Sequence, residues 1–194
     1  MIRLADTGGG ISLFQLKITL QDCKPSIWRR VVVRSDMKLD RLHNLIQTAM
    51  GWTNSHLHQF VADGVFYGMK GLDLEDEVDE TLDEKRHVVN ELISKAQDRF
   101  IYEYDFGDSW EHEVVLEKIL KPDASFKHPV CLAGANACPP EDCGGTWGYA
   151  DFLKAMANPK HEEHEQMKEW IGGKWDAAKF SLEAVNAKLK RMRA

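Results

Sequence analysis

The sequence has little that would direct it to a membrane or to a polyanion. No stretch approaches the roughly 18 consecutive apolar residues of a membrane span, and the opening residues, MIRLADTGGG, have no apolar signal core. The formal net charge is −6 and the isoelectric point is about 5.8, which disfavours binding to nucleic acid or anionic lipid. These features predict a cytoplasmic protein without membrane contact and without a nucleic-acid partner.

Several short motifs of well-known enzyme classes are also absent. The sequence contains no GxGxxG, GxxxxGK[ST], GxSxG or HExxH pattern, so nucleotide-dependent and serine-hydrolase chemistries lack support. Only 4 of the 194 residues are cysteines, and in a reducing compartment these are thiols or metal ligands sooner than disulfides. A chain of this length can bury a core without covalent cross-links.

The order of the predicted elements indicates an α+β fold. Two paired strands are predicted from SLFQLKITL, in which polar and apolar residues alternate, and from IWRRVVV, which is rich in β-branched residues. An apolar stripe in the next segment predicts a helix that ends at Gly51. Asp63-Gly64 predicts a hairpin, because it separates two apolar runs and suits a tight turn. Helical patterns dominate residues 148–194.

The predicted domain organisation is simple. Residues 1–10 contain a glycine run with nothing to pack, so we expect a flexible N-terminus. Residues 11–194 are predicted to form a single domain, in which hairpins build a mixed or antiparallel sheet, one early helix packs on it, and a helical part ends the chain.

A long hairpin is predicted from FIYEYDFGDSWEHEVVLEKIL, where aromatic and β-branched residues flank a turn. If the two-residue turn is Asp108-Ser109, then Asp105 faces His112 with side chains about 5 Å apart. An acid beside an imidazole can orient a general base or join a metal site. Asp105 and His112 are therefore the candidate catalytic residues, and a structural hydrogen bond that fixes the turn is the alternative.

The loop CLAGANACPPEDCGGTWGY places three thiols in a short span. Cys131, Cys138 and Cys143, completed by His112 or His128, are candidate ligands of a structural zinc ion. Paired CxxC elements are absent, however, and free buried thiols are the simpler interpretation.

His56 and His58 lie two positions apart, which places them on one face if their segment is a strand. We interpret them as imidazoles packed against Trp52 and Phe60, because no nearby carboxylate in the sequence completes a metal site. A two-histidine metal site is the alternative.

The acidic run from Asp73 to Glu84 has too little apolar material to pack, and it is interpreted as a solvated loop. It lacks the glycine and the ligand spacing of an EF-hand, which argues against a calcium site.

Five stretches, in order, resemble the ORF-3-like family named after a root-inducing plasmid: PSIWRRVVV, LHNLIQTAMGWTNSHLHQF, YEYDFGDSWEHEVVLEKIL, CLAGANACPPEDCGGTWGYADFL and EWIGGKWDAAKFSLEAVNAKL. The resemblance extends from about Leu13 to Leu189. It implies a roll-like fold of mixed strands with packed helices. The family's most recognisable positions correspond here to Tyr104, Asp105, Phe106, Gly107, Asp108, Trp110, His112, Cys131, Pro139, Pro140, Glu141, Asp142, Gly144, Gly145, Trp147 and Tyr149.

The resemblance implies little about activity, because similar members are mostly of unknown function and some occur on plasmids or in insertion elements. A resolvase-like label that some members carry is disfavoured here. The sequence shows neither a nucleophilic serine among arginines nor a basic helix-turn-helix.

Two functional hypotheses follow. The first is a non-enzymatic binding or accessory module of plasmids or mobile elements, with an aromatic groove that takes an unknown small ligand or peptide. Its candidate binding residues are Tyr104, Asp105, Asp108, Trp110, His112, Glu141, Asp142, Trp147 and Tyr149.

The second hypothesis is a metal-assisted hydrolase or nuclease whose cofactor is a divalent cation. Its ligands would be drawn from Asp105, Asp108, His112, Glu141 and Asp142. A purely structural role, in which these acids cap turns and helices, is the alternative to both hypotheses.

Overall fold

The computed structural model describes residues 11–70 and 81–192. The expectation of a flexible segment at residues 1–10 lies outside the described residues, as does most of the acidic run. The strands are β1 (Leu13–Leu20), β2 (Ile27–Arg34), β3 (His58–Ala62), β4 (Val65–Gly68), β5 (Leu82–Asp83), β6 (Arg99–Tyr104), β7 (Trp110–Leu120) and β8 (Val130–Ala135). The helices are α1 (Leu39–Met50), α2 (Val89–Leu92), α3 (Gly145–Ala157), α4 (His164–Trp170) and α5 (Leu182–Leu189).

The eight strands form one sheet in the order β5-β4-β3-β6-β7-β1-β2-β8. All of these pairings are antiparallel except that of β4 with β5. The sheet and its helices confirm the predicted α+β class. None of the helices in the described ranges is long and apolar enough to cross a membrane.

The first helix shows why the sequence folds as predicted in this region. Leu39, Leu42, Leu45 and Ile46 fall on one side of α1 and are fully buried in the core, as the spacing of an amphipathic helix requires. The helix ends at Gly51, whose φ of 110° is a left-handed conformation that glycine adopts readily.

The hairpin of β3 and β4 also forms as predicted. Asp63 and Gly64 have φ angles of 49° and 79°, which is the primed geometry that suits the twist of antiparallel strands. Ala62 pairs with Val65 directly across this turn.

The hairpin of β6 and β7 differs from its prediction. Tyr104 pairs with Trp110, and Tyr102 pairs with His112, so the connection comprises five residues rather than two. Asp105 itself leaves the strand with a φ of 58°, a conformation that aspartate tolerates better than most residues. The predicted pairing of Asp105 with His112 is therefore wrong.

Candidate metal centre

The turn between β6 and β7 presents one carboxylate oxygen to a neighbouring loop. Asp105 Oδ1 accepts hydrogen bonds from the backbone N–H of Gly107 at 3.1 Å and of Asp108 at 3.4 Å. The backbone carbonyl of Asp105 accepts from Ser109 N at 2.6 Å, which closes the turn. These bonds leave Oδ2 to face outward from the turn, where it lies 3.6 Å from His56 Nε2.

The loop before α3 brings two more acids to the same place. Glu141 Oε1 accepts hydrogen bonds from Thr53 N at 2.8 Å and Thr53 Oγ1 at 2.9 Å, and the Tyr104 hydroxyl lies 3.2 Å away. These contacts fix the loop against the segment that follows α1. The next residue, Asp142, has a φ of 56° and a side chain that is 70% exposed.

His56 lies where these two loops converge. Its Nε2 atom is 3.1 Å from Asp142 Oδ1, 3.6 Å from Asp105 Oδ2 and 3.9 Å from Glu141 Oε2. That nitrogen is buried, yet it satisfies hydrogen-bond geometry with none of the three carboxylates. The imidazole ring also contacts Tyr104 edge to face at a centroid distance of 5.8 Å.

This arrangement has the composition of a divalent-metal site. One ligand atom each from His56, Asp105 and Asp142 lies within 4.8 Å of the other two, and no other trio of His, Cys, Asp or Glu in residues 11–70 and 81–192 is so placed. Within the same ranges, His56 is the one basic residue whose side chain lies within 4 Å of these carboxylates. We call His56, Asp105, Asp142 and Glu141 the acid–histidine cluster.

The structure places His112 far from the role predicted for it. The residue is fully buried, and its Nδ1 donates to the backbone carbonyls of Trp110 at 3.0 Å and Tyr102 at 3.2 Å. Burial lowers the pKa of His112 to about 4 because a charged imidazole would lose its hydration. His112 is therefore a neutral core residue, and its assignment as a partner of Asp105 in catalysis is corrected.

Asp108 also lies apart from the acid–histidine cluster. Its Oδ2 accepts a hydrogen bond from Gly144 N at 3.1 Å, which ties the β6–β7 turn to the start of α3. Of the five residues predicted for the metal site, Asp105, Glu141 and Asp142 each lie within 4 Å of His56 Nε2, whereas Asp108 and His112 do not join them.

The predicted aromatic groove does not form. Trp110 and Tyr149 are buried at 0% and 2% exposure, whereas Trp147 is 86% exposed. Trp110 packs against Trp52 in the core, so these three side chains cannot line one surface. Tyr104 is buried too, but its hydroxyl accepts a hydrogen bond from Ser55 N and donates one to Glu141 of the cluster.

The predicted zinc site at the cysteines is not supported. Cys131, Cys138 and Cys143 are free thiols, and no trio drawn from them and His112 meets at one point in the described ranges. Burial raises the pKa of the Cys138 thiol well above its usual value and that of Cys143 to about 12. Neutral buried thiols, the simpler interpretation, match this arrangement.

His58 and Glu84 form a second polar contact that the sequence did not predict. His58 Nε2 lies 2.7 Å from Glu84 Oε2, and both residues are buried. The interpretation of Glu84 as part of a solvated run is therefore wrong. The His58 ring stacks on that of His43 at a centroid distance of 3.5 Å.

For His56, the sequence interpretation considered a metal site with His58 but missed the carboxylates that surround it. Its carboxylate neighbours lie 49 and 86 positions further along the chain (105 − 56 and 142 − 56), so local spacing contains no signal of them. The available hint was that the cluster acids lie in two turns, DFGDS and PPEDCGG, whose residues Asp105 and Asp142 adopt left-handed backbone conformations.

The fold and the cluster together define a class: an α+β protein with one eight-stranded sheet and a polar site built from its connecting loops. The chain belongs to the plasmid pRiA4b ORF-3-like protein family, whose family model matches residues 12–184. The resemblance predicted from the sequence is thereby confirmed.

Two relatives are informative about the extent of this family. An uncharacterized protein, y4hQ of Sinorhizobium fredii (strain NBRC 101917 / NGR234), is 41% identical over 180 residues, which span 90% of this chain and 89% of the relative. The crystal structure of MM3350, a protein of unknown function from Methanosarcina mazei Go1, superposes with a TM-score of 0.80 at 32% identity. That match covers 90% of this chain and 97% of MM3350.

Proposed function

We propose that this protein is a binding module that holds a divalent transition-metal ion at His56, Asp105 and Asp142 and recognises its ligand through that ion. The observation that carries the proposal is the buried His56 Nε2, which faces three carboxylates and forms no hydrogen bond with them. A buried nitrogen without a partner is costly, and a cation between these groups would supply one.

The spacing of the ligand atoms suits an ion. Nitrogen and oxygen ligands lie about 2.1 Å from zinc, so two ligands of one ion are at most about 4.2 Å apart. The distances from His56 Nε2 to Asp142 at 3.1 Å and to Asp105 at 3.6 Å fall within this limit. All three ligand atoms lie within 4.8 Å of one another, which is close to this limit.

The donor set favours some metals over others. Magnesium and calcium prefer oxygen ligands alone, whereas an imidazole beside carboxylates suits zinc, manganese or iron. Glu141 Oε2, at 3.9 Å from His56 Nε2, is placed to join as a fourth ligand or to accept a proton from a bound water.

Metal-assisted hydrolysis is the second candidate function, and one observation favours it. Three protein ligands leave coordination positions for a water and a substrate, and the Asp142 side chain is 70% exposed, so the cluster meets solvent on that side. The plasmid named in the family description supports, by resemblance, an accessory role in plasmids or mobile elements.

Metal titration of the chelator-treated protein tests the proposal. We expect saturable binding of one Zn²⁺ or Mn²⁺ per chain by isothermal titration calorimetry, and at least about tenfold weaker binding after Asp142→Asn or His56→Gln. Asp151→Asn is the matched control, because Asp151 is an exposed aspartate on α3 that pairs with Lys154. It should leave the affinity unchanged.

Two results would overturn the metal assignment: no saturable binding, or equal affinities in Asp142→Asn and the control. Near-ultraviolet circular dichroism of each variant shows whether the fold is retained. Hydrolysis of phosphate and carboxylate esters by the metal-loaded protein separates the two candidate functions. Turnover lost in His56→Gln favours the hydrolase, and metal binding without turnover leaves the binding module.

A further inference from the structure

A cavity of about 580 Å³ lies between the end of α1, the loop before α3 and the C-terminal segment. Its lining includes Thr48–Trp52, Ala137–Glu141 and Lys179–Ser181. This volume is within the range of roughly 300–1,000 Å³ typical of small-molecule sites. Glu141 is the one residue of the acid–histidine cluster that also lines this cavity.

We propose that this cavity binds a small organic anion, a carboxylate attached to an apolar or aromatic body, independently of any metal. The central residue is Arg29 of β2, which lines the cavity and is 2% exposed. A buried charge normally has an ionic partner, yet within the described chain no carboxylate pairs with Arg29. An anionic ligand would supply the missing negative charge.

The protein groups around Arg29 are neutral. Its guanidinium donates hydrogen bonds to the backbone carbonyls of Ala49, Trp28, Ala135 and Asn136 at 2.8–2.9 Å. These four bonds use four of the five N–H groups of an arginine. They hold the side chain in place and partly stabilise its charge, but carbonyl groups have no net negative charge to neutralise it.

The nearest thiols do not provide the counter-charge either. Burial is the main cause that raises the pKa values of Cys131 and Cys138, so both thiols stay protonated at neutral pH. The positive charge of Arg29 therefore has no negative partner among the carbonyls and thiols that surround it.

Two lysines add to the positive charge of the lining. Lys179 and Lys188 line the cavity with exposed side chains, and in residues 11–70 and 81–192 neither forms an ion pair. Glu141 is the one acid of the lining, and its carboxylate is already bonded to Thr53. The lining thus contains three cationic side chains and one carboxylate that is already hydrogen-bonded. This local excess of positive charge contrasts with the net charge of −6 of the whole chain.

Apolar residues define the rest of the ligand. Phe180 lies over the Arg29 guanidinium at 4.5 Å from ring centroid to Cζ, and Ile171, Trp175 and Val185 also line the cavity. An ion without an apolar body would leave this surface in contact with water. The lining therefore favours an aryl or alkyl carboxylate over a bare inorganic anion.

Calorimetric titration with three probes tests the proposal: 2-naphthoate, the neutral 2-naphthalenemethanol and inorganic phosphate. All are measured with chelator present, so that failure of the metal proposal does not affect the result. We expect saturable binding of 2-naphthoate that is at least about tenfold tighter than that of the alcohol. Phosphate should bind more weakly than 2-naphthoate.

Variants locate the site. Lys179→Gln combined with Lys188→Gln should weaken 2-naphthoate binding by about tenfold, whereas Lys154→Gln, on the exposed side of α3, should not. Arg29→Met should abolish binding, and the lysine variants keep the test valid if that variant fails to fold. Equal binding of acid and alcohol, phosphate binding in preference to 2-naphthoate, or no effect of the lysine variants would each overturn the proposal.

Discussion

Two buried histidines make the stability of this protein depend on pH between about 6.5 and 4. Burial is the main cause that lowers the pKa values of His43 and His112 to about 4. Electrostatic repulsion from the neighbouring His58 also lowers the pKa of His43, whose two nitrogens bond the Tyr102 hydroxyl and Asn54. The unfolded chain gains protons at both positions near pH 6.5, before the folded protein does.

The sign and size of the effect follow from this difference. Because the unfolded state binds more protons in this window, the free energy of unfolding falls as the pH falls from about 6.5 towards 4. Each histidine costs about 2 kcal/mol at pH 5 relative to pH 7.5, and about 3 kcal/mol below pH 4, from about 1.4 kcal/mol per pKa unit. Together they remove about 4 kcal/mol by pH 5, a large part of a typical stability of about 5–15 kcal/mol.

Urea unfolding with chelator present measures this loss directly at about pH 7.5 and pH 5. His112→Gln should lose only about half as much stability between these two values as the wild type, whatever its stability at neutral pH. Val114→Ala, a fully buried neighbour on β7, should be less stable at both values but keep the wild-type difference. A wild-type loss below about 1 kcal/mol, or a full loss in His112→Gln, would refute the reasoning.

Two further predictions concern backbone and core geometry. Gly148→Ala would place a Cβ 1.9 Å from the carbonyl oxygen of Cys143, so we expect a loss above about 3 kcal/mol in thermal unfolding. Gly172→Ala, with a φ of 76° but no atom within 4 Å, should cost only about 1–2 kcal/mol. Tyr102→Phe removes the hydroxyl that lies 2.8 Å from His43 Nδ1, and it should lower the free energy of unfolding by about 1–3 kcal/mol in urea. A variant as stable as the wild type would contradict that assignment.

Most of the regular structure was predictable because it depends on local periodicity. The apolar stripe of α1 and the Asp63-Gly64 turn each contain their own signal within a few residues. The register of β6 and β7 was not predictable in this way. The register depends on Asp105, which adopts a left-handed conformation and closes a five-residue connection. The sequence DFGDS is compatible with this turn but also with shorter ones.

The candidate metal centre was predictable only in part, for a related reason. Asp105, Glu141 and Asp142 were identified because acidic residues in Gly- and Pro-containing turns are recognisable as candidate functional residues from sequence alone. His56 was not, since the loops that surround it come from distant parts of the chain. Conversely, His112 looked reactive beside GDSW, but its position on the inner face of β7 makes it a core residue.

The position of β1 in the sheet has a consequence for synthesis on the ribosome. One edge of β1 pairs with β2, the next strand in the chain, and the other edge pairs with β7. Gln15 of β1 bonds Glu117 of β7, which is synthesised 102 positions later. At about 5–20 residues per second, that edge of β1 stays unpaired for several seconds during translation. Because unpaired strand edges attract other chains, the nascent protein is exposed to aggregation at this edge until β7 emerges.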